Sequence, residues 1–148
     1  MTTASAAILY RGEAIAVPQA LAVVLGRLFF AAMFLMSGPD LFSKQTIAFA
    51  ASQGVPLASL AVPFAGALAL IGGLSILLGY RAKLGAWLIV VFLVPVTLMM
   101  HKFWGVSDPT MAQMQMNNFM KNVSMLGGAL LITQFGAGPL SLDARRSR

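Results

Sequence analysis

Long apolar stretches and short polar connections alternate along nearly the whole chain. The pattern predicts four membrane-spanning helices at about residues 17–37, 60–78, 84–100 and 119–135, because a helix needs about 20 mostly apolar residues to cross the hydrocarbon core of a bilayer. Helix-breaking residues follow the first and the fourth stretch, at 38–40 and 136–139. Between the first two spans, residues 46–53 are predicted to form a short helix in the membrane interface.

The composition is that of an integral membrane protein. Of the 148 residues, 59% are hydrophobic and 9% are charged, whereas about a quarter of the residues of a soluble domain are charged. We therefore predict an all-α fold, a four-helix transmembrane bundle over residues 17–139. In this prediction residues 1–16 form a cytoplasmic N-terminal tail and residues 140–148 form a basic C-terminal tail. Four spans use the length of the chain, so no second domain is expected.

The positive charges predict how the bundle is oriented, because lysine and arginine are enriched in the cytoplasmic connections of membrane proteins. The two predicted tails and the turn between the second and third spans carry six of them, Arg11, Arg81, Lys83, Arg145, Arg146 and Arg148. The opposite side carries three, Lys44, Lys102 and Lys121. Both termini are therefore predicted to lie in the cytoplasm. The net charge of +6 is spread over turns and tails, which favours lipid contact over nucleic-acid binding.

Few residues could carry catalysis or hold a metal. The chain has no cysteine and one histidine, which excludes disulfides, thiol catalysis, thiolate metal sites and bis-histidine haem within one chain. The sequence shows no nucleophile–base pair and no carboxylate dyad, so we expect no catalytic residues, no metal site and no intrinsic cofactor. Four methionines between residues 111 and 120 would suit Cu(I). On one helix they point to opposite sides, which favours packing instead.

The polar stretch at residues 99–122 holds the candidate binding residues, His101, Trp104, Asn118, Lys121 and Asn122. Asn118 and Asn122 share one face of a helix at i, i+4 spacing. The cluster could hydrogen-bond a quinone carbonyl or a lipid headgroup, with Trp104 stacked on a quinone ring. Aromatic belts and amide-capped helix starts place the same residue types at a membrane interface. The sequence leaves both interpretations open.

Arg27 is a charged residue about ten positions into the first predicted span, or roughly 15 Å at 1.5 Å per residue. An arginine near the bilayer centre costs about 2.5–3.5 kcal/mol on insertion scales, so it is expected to face the bundle interior. The candidate acceptors are the Val91 carbonyl, which Pro95 leaves without a helical donor, and the side chains of Ser75 and Gln134. Two roles stay open, a structural anchor and a contact for a quinone or an anionic headgroup.

Several short motifs follow one another in a defined order along the chain. They are Ser37-Gly38, Gly54-Val55-Pro56, Gly72-Gly73, His101-x-Phe103-Trp104, Asp108-Pro109, the run from Asn118 to Asn122, Gly127-Gly128 and the run from Gly138 to Asp143. Their order and spacing resemble the DoxX family of small bacterial inner-membrane proteins over about residues 21–143. The resemblance implies a multi-pass inner-membrane protein of four helices, similar to the membrane subunit of a thiosulfate:quinone oxidoreductase. Ala69 stands where members of that family often carry a glutamate, which removes an acid from the middle of the membrane.

Two functional hypotheses of different classes follow. The first, which rests on the resemblance, is a quinone- or lipid-contacting membrane subunit associated with an oxidoreductase or redox-stress system. A partner protein would then hold the redox cofactor, and a bound quinone would be the cofactor at this chain. The alternative is a non-catalytic membrane scaffold or assembly factor. The expected partners are the lipid bilayer, a redox partner protein and a second copy of the chain, and no nucleic acid.

Overall fold

The computed structural model describes residues 7–10 and 13–146. Within these ranges the chain forms an antiparallel hairpin, six α-helices and one 3-10 helix. In chain order they are β1 (Ala7–Tyr10), β2 (Glu13–Ala16), α1 (Val17–Ser37), the 3-10 helix (Gly38–Phe42), α2 (Lys44–Ser52), α3 (Ala58–Leu78), α4 (Ala82–Met100), α5 (Pro109–Phe135) and α6 (Leu142–Arg146). Parts of the two predicted tails, including Arg11 and Arg148, lie outside the described residues.

Three helices of the described chain are long and apolar enough to cross a membrane, at Val17–Phe42, Ala58–Leu78 and Ala82–Met100. The predicted count of four spans is therefore not confirmed, and the described residues form six α-helices rather than four. The physical reason lies in α5, which has 27 residues but carries two glutamines, two asparagines and a lysine between residues 113 and 121. The fold is that of a helical membrane protein.

α5 begins at residue 109 rather than at about 119, where the fourth span was predicted to start. The Asp108 carboxylate caps the helix by accepting the Met111 N–H at 2.7 Å, and Pro109 occupies the first turn, a position that proline favours. No proline or glycine interrupts the next seventeen residues, and the helix runs on to Gly136. The short helix predicted over residues 46–53 is confirmed as α2, which Ser43 caps.

The long helices pack in chain order, α1 on α3, α3 on α4 and α4 on α5, around an apolar core. Among the described residues the largest fully buried side chains are Phe34, Ile76, Ile89 and Leu93. α3 and α4 approach closely because Gly72 has no side chain, and a Cβ there would lie 2.8 Å from the Gly85 carbonyl oxygen. Large apolar side chains such as Phe29 face outward at 70% exposure, where they suit contact with lipid tails.

The connections between the helices lie at two ends of the bundle. The α3–α4 turn and residues 136–146 lie at one end, because Asp143 contacts the start of α4; we call it the Arg27 end. The α4–α5 loop lies at the other, which we call the His101 end. α2 also packs there, with Ala50 buried in a cluster that Met100 touches.

Candidate functional site

Arg27 lies buried at the Arg27 end, with 6% of its surface exposed. Its Nη1 donates to the carbonyl of Ala137 at 3.1 Å, and its Nη2 donates to the carbonyl of Leu140 at 2.9 Å. Within the described part of the chain its Nε is buried without a hydrogen-bond partner. The acceptors are therefore backbone carbonyls of the segment after α5, and not the three groups that the sequence suggested.

Residues 136–146, which we call the C-terminal segment, fold back onto the start of α4. The Asp143 carboxylate accepts the backbone N–H groups of Arg81 and Ala82 at 2.8 and 3.0 Å, and the Asp143 N–H donates to the Gly79 carbonyl at 2.8 Å. A carboxylate at a helix N-terminus satisfies unpaired donors and interacts favourably with the helix dipole. The C-terminal segment thus joins α4 to α1 through two independent sets of hydrogen bonds.

The turn between α3 and α4 is shaped so that Arg27 and the C-terminal segment fit against it. Gly79 ends α3 in the left-handed region at φ 63°, where glycine carries no steric cost. A Cβ at Gly79 would lie 2.6 Å from Nη1 of Arg27 and would also meet the Cβ of Ser141. Ser75, one of the acceptors suggested for Arg27, instead donates its hydroxyl to the Tyr80 carbonyl at 2.6 Å.

Tyr80 lies on the outside of this turn and carries a shifted pKa. The guanidinium carbon of Arg146 is 4.6 Å from the centre of the Tyr80 ring. The neighbouring Arg146 guanidinium lowers the pKa of Tyr80 from its usual value, and the positive charge of Arg81 lowers it further. The Arg27 end thus shows hydrogen bonds that hold the C-terminal segment against α1 and α4.

The His101 end begins with an aromatic cluster. The ring centres of Phe103, Trp104 and Phe119 lie 5.2–6.0 Å apart in edge-to-face pairs, the arrangement that aromatic quadrupoles favour. Trp104 is 52% exposed and is not among the residues that line the cavity described below.

His101 and Lys121 each contact a side-chain amide of α5. The Nδ1 atom of His101 is 3.0 Å from Oε1 of Gln115, a partner that the sequence did not suggest. The Lys121 Nζ donates to Oδ1 of Asn118 over a long 3.4 Å. The first pair joins the end of α4 to α5, and the second lies within α5.

A cavity of about 170 Å³ separates α1, α4 and α5 near this end. Four polar residues reach it, Ser37, His101, Lys121 and Asn122, and apolar side chains form the rest of its lining. Asn122 is only 5% exposed, and its side chain makes no hydrogen bond within the described residues.

The structure thus brings three of the six candidate residues, His101, Lys121 and Asn122, to one cavity. Asn118 and Trp104 lie at the same end of the bundle but outside the cavity lining, and Arg27 lies at the opposite end. No group of three or more histidine, cysteine, aspartate or glutamate side chains that could hold a metal ion occurs in the described ranges.

Comparison with known proteins finds a match to the SURF4 family over residues 61–148. The chain is 31% identical to the inner membrane protein YphA of Escherichia coli over 100 residues, which cover 68% of this chain and 71% of YphA. It is 29% identical to the ER-derived vesicles protein ERV29 of Saccharomyces cerevisiae over 79 residues, which cover 53% of this chain and 25% of ERV29. No solved structure matches the chain.

These matches correct the resemblance to the DoxX family, which was wrong. The motifs behind it were glycine pairs, helix ends and interfacial aromatic residues, which many multi-pass helical proteins need for close packing and for their position in the bilayer. The oxidoreductase function inferred from the resemblance was wrong as well, and the redox partner and the quinone have no support from the family. The chain belongs to the SURF4 family.

Proposed function

We propose that this protein is a non-catalytic membrane scaffold or assembly factor of the inner membrane, the alternative that the sequence left open. Two relatives are named for the membranes in which they occur, the inner membrane for YphA and ER-derived vesicles for ERV29. The observation that carries the proposal is the pair of bonds from Arg27 to Ala137 and Leu140. These bonds hold α1 to the C-terminal segment, so the Arg27 end of the bundle is fixed. The His101 end presents polar side chains to a partner.

The contacts at the two ends of α5 support a fourth span. α5 starts beside the His101 loop, and the C-terminal segment that follows it contacts the α3–α4 turn at the opposite end. At 1.5 Å per residue, 27 residues measure about 40 Å, more than the roughly 30 Å of the hydrocarbon core. We therefore propose that α5 crosses the membrane, that its polar first half extends outside, and that both termini are cytoplasmic.

Single cysteines test this topology, because the chain contains none of its own. Ser107→Cys and Arg145→Cys, both at exposed positions, are treated in intact cells with a membrane-impermeant thiol reagent. Labelling of residue 107 with protection of residue 145 supports four spans and a cytoplasmic C-terminus. Labelling of both would mean that α5 does not cross, and labelling of residue 145 alone would reverse the orientation.

The scaffold function is tested by photo-crosslinking in intact cells. A photoreactive amino acid at Ser107 probes the His101 end, and the same amino acid at the exposed Lys83 is the matched control at the Arg27 end. A discrete adduct with one other protein from position 107, and none from position 83, is the expected result. If position 107 yields only a dimer of this chain or only lipid adducts, the scaffold proposal is wrong.

A further inference from the structure

The cavity at the His101 end lies where the first and last long helices separate. α1 and α5 meet at Phe30 and Gly128, where a Cβ on the glycine would lie 3.0 Å from the phenylalanine ring. Two turns towards the His101 end, Ser37 on α1 and Asn122 on α5 line the cavity instead. α1 and α5 are therefore held apart over the half of the bundle where the cavity lies.

Asn122 gives the first indication of a ligand. Its side chain is 5% exposed, lines the cavity and has no hydrogen-bond partner among the residues the structure describes. Its amide atoms keep accessible surface, because the buried polar side-chain atom without a partner in the described ranges is Nε of Arg27. The amide is therefore free to bond a molecule that enters the cavity. A molecule in the cavity with an acceptor atom would supply the bond that the chain does not.

Lys121 gives the second indication, because this exposed lysine also lines the cavity and its flexible stem can bring the ammonium group to the rim. Its ammonium group makes only the long 3.4 Å contact with Asn118 and has no ion pair within residues 13–146. The acidic residues at this end are Asp40 and Asp108, and neither lines the cavity. Asp108 is already engaged as the cap of α5. The polar rim is therefore suited to an anion.

The remaining lining is apolar, with Phe34, Leu93 and Met125 among its members. An apolar cavity of about 150 Å³ holds one benzene molecule, so the 170 Å³ here can take the first few carbons of a chain beside its head group. The polar rim lies near the end of the bundle and the apolar part lies deeper. A lipid in the bilayer places its head group and its chain in the same order.

We propose that this cavity binds an acyl chain that ends in an anionic group, with the Lys121 ammonium and the Asn122 amide N–H on the anion. The first carbons of the chain pack against Phe34 and Leu93. Fatty acids and anionic phospholipids share this chemistry. The site stands on the cavity and its lining alone, so it does not depend on the scaffold proposal.

The test is binding to the purified full-length chain in mild detergent, followed by native mass spectrometry during titration. The probes are oleate and phosphatidylglycerol, which distinguish the two sources, and their neutral counterparts oleyl alcohol and phosphatidylcholine. The variants are Lys121→Gln and Asn122→Leu, with Lys102→Gln as the matched control. Lys102 is an exposed lysine at the same end of the bundle and does not line the cavity.

At least one anionic probe should bind more tightly than its neutral counterpart. Lys121→Gln should weaken that binding by about tenfold, or about 1.4 kcal/mol, and Lys102→Gln should leave it unchanged. Lys121 is exposed, so its variant is expected to fold and keeps the test valid if Asn122→Leu does not. Equal binding of the anionic and neutral probes, or equal losses in the two lysine variants, would overturn the proposal.

Discussion

Replacing Arg27 by leucine tests whether the guanidinium holds α1 to the C-terminal segment. The variant loses two hydrogen bonds of 3.1 and 2.9 Å to backbone carbonyls. Bonds with a charged donor contribute about 1.5–3 kcal/mol each, so about 3–6 kcal/mol is lost. The variant also removes the buried Nε that lacks a partner, and an unsatisfied buried donor costs about 1–3 kcal/mol. The midpoints of these two ranges differ by about 2.5 kcal/mol, so we expect the free energy of unfolding to fall by about that amount.

The assay is reversible unfolding by SDS in mixed micelles, followed by far-ultraviolet circular dichroism. Arg145→Leu is the control, since it removes an exposed arginine from the C-terminal segment and should unfold like the wild type. Limited trypsin digestion gives a second readout, because release of the C-terminal segment should speed cleavage after Arg145. If Arg27→Leu unfolds at the same SDS fraction as the wild type, or at a higher one, the burial of the guanidinium cancels its hydrogen bonds and the reasoning is refuted.

Three further predictions concern the same end of the bundle. Gly79→Ala places a side chain at φ 63° and into the buried guanidinium, so it should lower the free energy of unfolding by about 1–3 kcal/mol. The control is Gly26→Ala, where a Cβ meets nothing within 4 Å and stability should be unchanged or higher. Equal SDS midpoints for the two variants would contradict this. Asp143→Ala removes the cap of α4 and should lower the free energy of unfolding by about 0.5–2 kcal/mol. Hydrogen exchange in the first turn of α4 should become faster, and unchanged exchange there would count against the cap. The pKa of Tyr80 is lowered chiefly by Arg146. With the other tyrosine changed to phenylalanine, ultraviolet titration should therefore show Tyr80 ionising at a lower pH than in Arg146→Gln. Coincident titration curves would exclude that cause.

The sequence predicted the first three membrane helices closely. Spans at 17–37, 60–78 and 84–100 correspond to Val17–Ser37, Ala58–Leu78 and Ala82–Met100. Their apolar stretches are long, and glycine and proline mark most of their limits. The start of α5 was missed because the polar residues after 109 were treated as a loop. Asp108 and Pro109 are a strong helix-start signal, and they outweigh the low hydropathy that follows.

The partners of Arg27 could not have been predicted in the same way. They are the carbonyls of Ala137 and Leu140, and every residue carries a backbone carbonyl, so residue type gives no signal. Asp143 was a usable clue, since it is the only acidic residue after Asp108 and follows a helix-ending Gly-Pro. The polar cluster was easier, because Lys121 and Asn122 are adjacent in α5 and the loop that joins α4 to α5 brings His101 near them.

The bonds of Arg27 also set an order of events in biosynthesis. Its acceptors follow it by 110 and 113 residues. At roughly 5–20 residues per second, about 6–23 s pass between synthesis of the arginine and of its second acceptor. Throughout that interval α1 must remain in the membrane while its guanidinium reaches towards head groups or water. A nascent chain released before Ala137 would therefore be inserted in the membrane without the hydrogen bonds that hold α1 to the C-terminal segment. We expect the quality-control proteases of the membrane to degrade it faster than the complete protein.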